Sequence, residues 1–598
     1  MSSAQQRTVL RRPRFWVLTV TALVLIALIA GGALAAKTLA DRAFAARDAL
    51  QSAVPLAATV KEQILAGDSA AAQQTVAQLQ ELTAEARAQA DGELWRFAER
   101  LPVAGPNLVV VRDVAATIDD LVVRAALPAS QMNLDGLAPA GGRIDTAMLT
   151  QASELVDQAA AAVADARATI DGIDRSSIVD QVASGVDQLD RVVAQIEPLI
   201  APAQQALAVL PGMLGAEGPR NYLVLVQNNA ESRGTGGNPA ALVLLHVEDG
   251  AISIAQQASS QDFMNGRPNP VAELDPATVA LYGDKVGRYM QDVTMTPDFA
   301  ESARIMGAFW AETFGTPIDG TVSIDPVALS YLMAATGPVS LPNGDVLESS
   351  TVVANLLNEV YFRYPDPEIQ DAYFAVAAGA IFDALTSVSN PRQLVDQVSR
   401  AVEEGRLLYV PTSPAEAELI AGTRLTGALP TDNAETTLIG SYVNDITEGK
   451  LNYYMDTAVA VAADVCAVAG DQAPTFTVTT SLTSTLKPDQ VRGLAPYISP
   501  GRFFPKGVIS TDLVVYGPVG ATFVSANIDG VPVAATPVEH LGRQAVKVNV
   551  INDPASSHAV TAVFTGAAGA DYGPVEVWHT PMVRQTPVTI DAPGCPAP

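Results

Sequence analysis

The sequence predicts a multidomain α and α/β protein in four parts: a single N-terminal transmembrane helix, an extracytoplasmic helical bundle or stalk, an α/β domain and a C-terminal β-sandwich. Three observations lead there. A charge-free run of twenty-two residues follows a basic N-terminus, helical sequence rich in Ala, Gln, Asp and Leu fills residues 38–211, and short alternating Thr/Val runs recur in residues 452–598. With 598 residues, the chain has room for about three to five folded units.

Composition narrows the function. An apolar fraction of 48% against 17% charged residues excludes wholesale disorder. A net charge of -28 repels polyanions, so nucleic acid is not an expected partner. Four His and two Cys exclude a Cys-rich zinc or iron–sulfur scaffold.

Residues 1–14 form the expected cytoplasmic tail, carrying Arg7, Arg11, Arg12 and Arg14 and no acid. The transmembrane anchor is expected from Phe15 to Ala36. At ~1.5 Å per residue it spans about 33 Å, enough for a ~30 Å hydrocarbon core. Arginines before the span and mixed charges after it (Lys37, Asp41, Arg42) set the N-terminus in the cytoplasm. Ala33-Leu34-Ala35 leaves a cleaved signal peptide as the competing reading. Either way, residues 37–598 are expected outside the cytoplasm, where Cys466 and Cys595 are expected to form one disulfide.

In the helical part, Leu149, Val156, Val163 and Ile170 keep heptad spacing with Ala152, Ala159 and Ala166 between them. Val182, Leu189 and Ile196 repeat it, interleaved with Val186, Val193 and Ile200. Ser177 with Asp180 predicts a capping box before the second helix, and Pro198 and Pro202 predict its kink or end. The region reads as a bundle above the membrane or as a coiled coil binding envelope protein partners. Residues 219–450 read as the α/β domain. Tyr222–Val226 and Ala241–Val247 are buried-strand runs, and helical patterns follow at 298–314, 325–335, 350–363 and 368–387.

The densest polar cluster, Gln227 to Gly237, follows the first buried strand directly. Asn228, Asn229, Glu231, Thr235, Gly236 and Gly237 are candidate ligand-binding residues. Glycines there let backbone amides approach an anion, and Arg233 can hold a phosphate by two parallel bonds. A glycine-rich turn with surface amides fits the same residues. Asp292, Asp298, Asp319 and Asp325 offer oxygen donors for Mg²⁺, although Asp298 also reads as a helix cap and Asp319 as a turn. Glu231 with Asp262 could form an acid/base pair. His246 and Trp310 read as core residues.

The run Arg220 to Gly237, with Asp292–Phe299, Ile318–Pro326 and Thr336–Val339, resembles the bacterial membrane-anchored family catalogued as domain of unknown function 4012. The resemblance covers roughly residues 210–400 and implies no activity. The order of elements also distantly resembles the LytR–CpsA–Psr family, which transfers glycopolymers from polyprenyl-pyrophosphate carriers to the cell wall. Ile318–Asp325 and Leu332–Val339 look like two of its segments, Arg233 falls at its first arginine, Asp262 at its Arg-Asp pair, and Arg363 at its later Arg-x-Arg. The departures are Gly234–Gly237 in place of the first motif's Asp, Gln261 in place of the second arginine, and one later arginine where the family has two.

That likeness implies a LytR–CpsA–Psr-like α/β fold and a catalytic set of Arg233, Asp262 and Arg363. Arg267 is then a substitute cation on the ligand side, and Asp262 the metal ligand should the cofactor be Mg²⁺. The expected function is a membrane-anchored role in cell-envelope glycan assembly, transferring or handling glycopolymers on polyprenyl-pyrophosphate carriers. The other reading is a non-catalytic protein that binds lipid-linked or cell-wall glycan, or a scaffold. Whether the protein is an enzyme stays open.

Overall fold

The computed structural model describes residues 13–65, 68–131, 142–388, 391–467 and 472–593. The chain divides into two compact units, one of residues 1–136 and 147–208, the other of residues 137–146 and 209–598.

The first unit is helical wherever it is described. Its first helix, Pro13–Leu65, begins with an exposed apolar run (Val17 to Leu34) and is the one described helix long and apolar enough to cross a membrane. Beyond that run it buries Ala46, Ala49, Ala53 and Val60. The next helix, Ser69–Gln89, buries Ala72, Val76, Leu79, Thr83 and Ala86, a strict alternation of four- and three-residue steps. Small side chains on both seams allow close approach. Thr83 donates to the buried Asp119 at 2.9 Å, so the one polar group on the seam is satisfied.

The heptad stretches form the helices Thr146–Asp171 and Asp180–Met213, and Val163, Ala166 and Ile170 share a core with Val186, Leu189 and Val193. Two expectations fail here. Pro198 and Pro202 lie inside the second helix, which runs on to Met213. Ser177 makes no capping box, because its hydroxyl donates to the Asp174 carbonyl. Instead Asn107 Oδ1 accepts the Val179 amide at 2.8 Å, a partner no local motif announces.

The second unit begins with a five-stranded sheet: β1 (Arg220–Asn228), β2 (Asn238–Glu248), β3 (Ala251–Ser259), β4 (Gly320–Ile324) and, after a two-stranded ribbon of β5 (Val339–Ser340) and β6 (Val346–Leu347), β7 (Leu407–Pro411). Its order is β3-β2-β1-β4-β7, with β1 and β4 parallel and the other neighbours antiparallel. Helices cover both faces, which is why β1 reads as a continuous apolar run. Leu223, Leu225, Leu242 and Leu244 pack on Phe299, Phe309 and Trp310 of helix Phe299–Thr313. From the other face Val224 and Val226 meet Ala328, Leu332 and Ala401 of helices Pro326–Thr336 and Pro391–Glu403. Trp310 is fully buried as expected. His246 keeps 37% of its side chain exposed, its Nδ1 3.0 Å from Asn221 Oδ1, and is not a core residue.

Two further sheets follow, built from β8 (Thr437–Asp445), β9 (Met455–Ala463), β10 (Thr475–Ser484), β11 (Ile509–Tyr516), β12 (Thr522–Ile528), β13 (Val531–Val533), β14 (Val538–His540), β15 (Arg543–Asn552), β16 (Ser557–Thr565), β17 (Val575–His579) and β18 (Val588–Asp591). One has the order β13-β12-β16-β10-β9-β18, the other β14-β15-β11-β8-β17. Alternate residues of both, such as Val459, Phe476 and Val478 from the first and Leu513, Val515 and Val548 from the second, enter one hydrophobic cluster. β8 lies between β11 and β17 in the second sheet, so residues 437–445 pair with the C-terminal strands rather than with the preceding segment to which the sequence assigned them. Cys466 is disulfide-bonded; Cys595 lies outside the described residues.

Candidate functional site

The loop that follows β1 is closed on itself. Gln227 donates through Nε2 to Ser323, while its Oε1 accepts the Gly237 amide at 2.7 Å and the Thr235 hydroxyl at 3.2 Å. The remaining amides are also engaged: Gly234 with Asn444 Oδ1 (3.1 Å), Thr235 with the Thr294 carbonyl (3.2 Å) and Gly236 with the Arg233 carbonyl (2.8 Å). The amides of residues 234–237 are thus all engaged within the protein. The glycines answer to crowding instead. A Cβ on Gly234 would stand 2.4 Å from the Met295 carbonyl oxygen, and one on Gly237 2.1 Å from that of Asn228.

Arg233 is 9% exposed and its donors are spent inside the protein. Nε and Nη2 meet one oxygen of Asp292 at 3.1 and 3.0 Å, and Nη1 donates to the carbonyls of Ser232 and Asp445, each at 3.0 Å. Burial opposes its charge, but Asp292 and Glu231 more than compensate and hold its pKa above the ordinary value. The expected pyrophosphate ligand is thus an internal ion pair. Arg363 pairs with Asp345 at the surface, and Arg267 with Glu312 beside the Phe309 ring. Neither arginine lines the cavity described below.

The four aspartates offered as Mg²⁺ ligands are taken as well. Asp292 holds Arg233. Asp298 caps its helix, accepting the Ala300 amide at 2.9 Å. Asp319 accepts the Asn221 amide at 2.8 Å, fastening the start of β1 rather than forming a bare turn. Asp325 caps helix Pro326–Thr336 through the Ala328 amide and also binds Arg406 (2.8 Å) and Asn229 (2.9 Å). Asp262 completes a capping box with Ser259. Among the described residues no three His, Cys, Asp or Glu side chains converge as a metal site.

What the loop does border is a cavity of about 510 Å³. β1–β3 form one wall, and the helical segments Val352–Arg363 and Pro367–Leu385 form the other. Val226, Ala241, Leu329, Leu356, Phe374 and Ile381 make much of it apolar. Asn228, Glu231 and Asn238 bring the loop's polar groups to it, and Asp262 reaches its rim with Gln261 and Asp371. Gln261 Nε2 donates to Asp371 at 3.0 Å. Burial, and then the nearby Asp262 carboxylate, push the Asp371 pKa up.

The polar end is organised by Lys450, which sequence reading missed. Its ammonium pairs with Glu231 and lies 5.0 and 4.8 Å from the ring centres of Tyr361 and Tyr497. Those two rings stack 5.6 Å apart at 21°. Glu231 also accepts Asn238 Nδ2 at 2.9 Å, and Tyr361 accepts Asn228 Nδ2 at 3.0 Å. Burial disfavours the Glu231 charge, but Lys450 and Arg233 outweigh it and hold the carboxyl below its usual range. Burial pushes the Tyr361 hydroxyl up to about 12, so it stays neutral. Lys450 follows Glu448-Gly449 in a segment without helical or strand period, so nothing local marks it. Tyr361 was within reach, two positions before Arg363 and one-half turn away on the same short helix.

Asn229, Thr235 and Gly236, which the sequence groups with Glu231, do not line the cavity. Asn229 is fully buried and donates to Asp325 and to the Pro581 carbonyl (3.0 Å). The predicted ligand loop therefore splits: Gln227, Asn228 and Glu231 face the cavity, Asn229, Ser232 and Gly234 bond to Pro581, Asn452 and Asn444, and Thr235, Gly236 and Gly237 bond back to Gln227, Arg233 and Thr294.

No curated protein matches the chain. One solved structure from Legionella pneumophila, whose assignment as a nutrient binding protein is itself provisional, aligns at 7% identity over 23% of this chain and 46% of its own. Its TM-score of 0.15 is too low to carry any argument. Residues 217–361, which hold β1 to β4, the closed loop and Tyr361, match the family model described as Protein of unknown function (DUF4012). The likeness to that family is confined to this segment, about a quarter of the chain.

Proposed function

We propose that this is a membrane-anchored, extracytoplasmic protein of cell-envelope glycan assembly, which holds a polyprenyl-linked glycan by lodging apolar chain of the carrier in the cavity. The carrying observation is the cavity itself, of a size typical for small-molecule sites and apolar along most of its wall, with one polar end at Glu231 and Lys450. Charge-free helix at the N-terminus supports the anchor, with residues 1–14 inside and the remainder outside. Helices on both faces of the first sheet support the LytR–CpsA–Psr-like reading of that part, and the core shared by the last two sheets supports a β-sandwich.

Binding without transfer is the reading the geometry favours. Arg233 and the amides of residues 234–237 are engaged within the protein, and Arg363 and Arg267 are paired away from the cavity. Catalysis by pyrophosphate neutralisation needs cations aimed at the developing charge. A second reading, glycan transfer, rests on Asp371 at the cavity rim, whose raised pKa suits a general base.

The test is binding of a fluorescent polyprenyl-pyrophosphate to the full-length protein in detergent, with and without Mg²⁺. Saturable binding that Ala378→Phe removes, by filling the cavity, is the expected result. Binding unchanged in that variant, or no binding at all, overturns the proposal. Formation of a glycan-transfer product, lost in Asp371→Asn, decides for the second reading.

A further inference from the structure

Residues 485–508 connect β10 to β11 with one 3₁₀ turn and no other regular structure, yet they are firmly built. Leu486 and Ile498 are fully buried, and Leu494 nearly so. Ser499 Oγ accepts the Gly507 amide at 3.0 Å, closing the base of a small loop. Gly501 has φ +70, and a Cβ there would stand 3.1 Å from Lys506 Cγ, so the two arms of the loop lie against each other. At the tip Phe503 is 69% exposed, and Tyr497 just before the loop is 43% exposed.

The charges of this connection run against the rest of the chain. It carries Lys487, Arg492, Arg502 and Lys506 with Asp489 as its one acid, in a protein of net charge -28. All four cations are exposed, and none forms an ion pair with a described carboxylate. Elsewhere in the second unit, arginines such as Arg220, Arg233, Arg267, Arg363, Arg406 and Arg584 are matched with acids. The fold also draws the two pairs of cations together. A Cβ on Gly507, next to Lys506, would lie 2.8 Å from Val491, next to Arg492, and 3.2 Å from Leu486, next to Lys487.

We propose that this connection is a docking element for an anionic lipid surface, with Phe503 entering the headgroup region and the four cations meeting lipid phosphates. An exposed aromatic ring on a braced loop that carries unpaired cations is the chemistry of interfacial binding. Polymer binding would use the cations but gives no role to the projecting Phe503. The proposal stands apart from what the cavity holds.

The test uses the full-length chain in nanodiscs of phosphatidylcholine alone or mixed with phosphatidylglycerol, with Phe503→Trp as reporter and bromine-labelled lipid as quencher. Against the parent chain, Phe503→Trp should add a quenched, blue-shifted component in the anionic discs. Adding Arg502→Glu and Lys506→Glu to that chain should remove the component without changing its melting temperature. Emission of the new Trp that stays unquenched in anionic discs overturns the proposal. So does equal quenching in neutral discs, or a soluble polyanion protecting residues 500–507 from hydrogen exchange where lipid does not.

Discussion

Arg233 and Asp292, 59 residues apart in sequence, meet through two guanidinium nitrogens on one carboxylate oxygen, at 3.1 and 3.0 Å. The pair sits where β1 ends and is sealed by the carbonyls of Ser232 and Asp445. It makes the most recognisable residue of the loop a brace.

Arg233→Ala should therefore cost stability. Removing one partner strands the Asp292 charge and two carbonyls, and losses of about 3–5 kcal/mol are usual for broken buried pairs. Chemical denaturation of the full-length protein measures it. Unchanged stability with lost ligand binding would return Arg233 to the role the sequence suggested.

Glu231 and Lys450 should behave as a unit. Lys450→Met alone leaves a buried carboxylate and should cost about 3–5 kcal/mol, whereas the double change with Glu231→Leu should recover most of that. A double-mutant cycle on the denaturation midpoints reads the coupling. Additive losses would show that the pair carries no interaction of its own.

Asp445 gives a pH dependence. Burial raises its pKa from 3.8 to about 6, against the pull of Arg233 and the Thr447 hydrogen bonds. Between these values the folded state binds more protons than the unfolded one, so this group's stabilisation is complete below pH 4 and declines as pH rises through 6. The shift is worth about 3 kcal/mol at most. Comparing the stability of the parent and Asp445→Asn across pH 4 to 7 should show a steeper fall in the parent; parallel curves would refute it.

Asp298→Ala should cost about 1 kcal/mol, the usual value of an N-cap, equally with Mg²⁺ or with a chelator present. A loss that depends on Mg²⁺ would make Asp298 a metal ligand. Thermal melts under both conditions decide.

Much of the local structure was legible. Tyr222–Val226 announced β1 because a strand covered on both faces must be apolar throughout, and Asp298 announced its helix because caps are decided within three residues. The heptads of 149–170 and 182–200 announced two seam-forming helices for the same reason of short range, but not that the two share one core. The site was legible only as a concentration of polar groups. Whether Arg233 faces a ligand or a carboxylate depends on Asp292, and the role of Glu231 depends on Lys450, 219 residues on. Spacing along the chain carries no trace of such pairings. The prolines inside Asp180–Met213 misled because a helix held by packing outlasts the backbone bonds that proline removes.

The bond from Asn229 to the Pro581 carbonyl spans 352 residues. The DUF4012 match ends at residue 361, yet Arg406, Asn444, Lys450 and Pro581 complete hydrogen bonds or ion pairs within it. A ribosome adding roughly 5–20 residues per second needs on the order of 20–70 s to cover that distance. For that interval a nascent chain carries β1 and its loop with Asn229 short of one partner, and for part of it Glu231 waits for Lys450, 219 residues on. The matched segment is thus a recognisable piece of sequence that cannot finish folding when it is made, and its maturation is timed by the last strands to be synthesised.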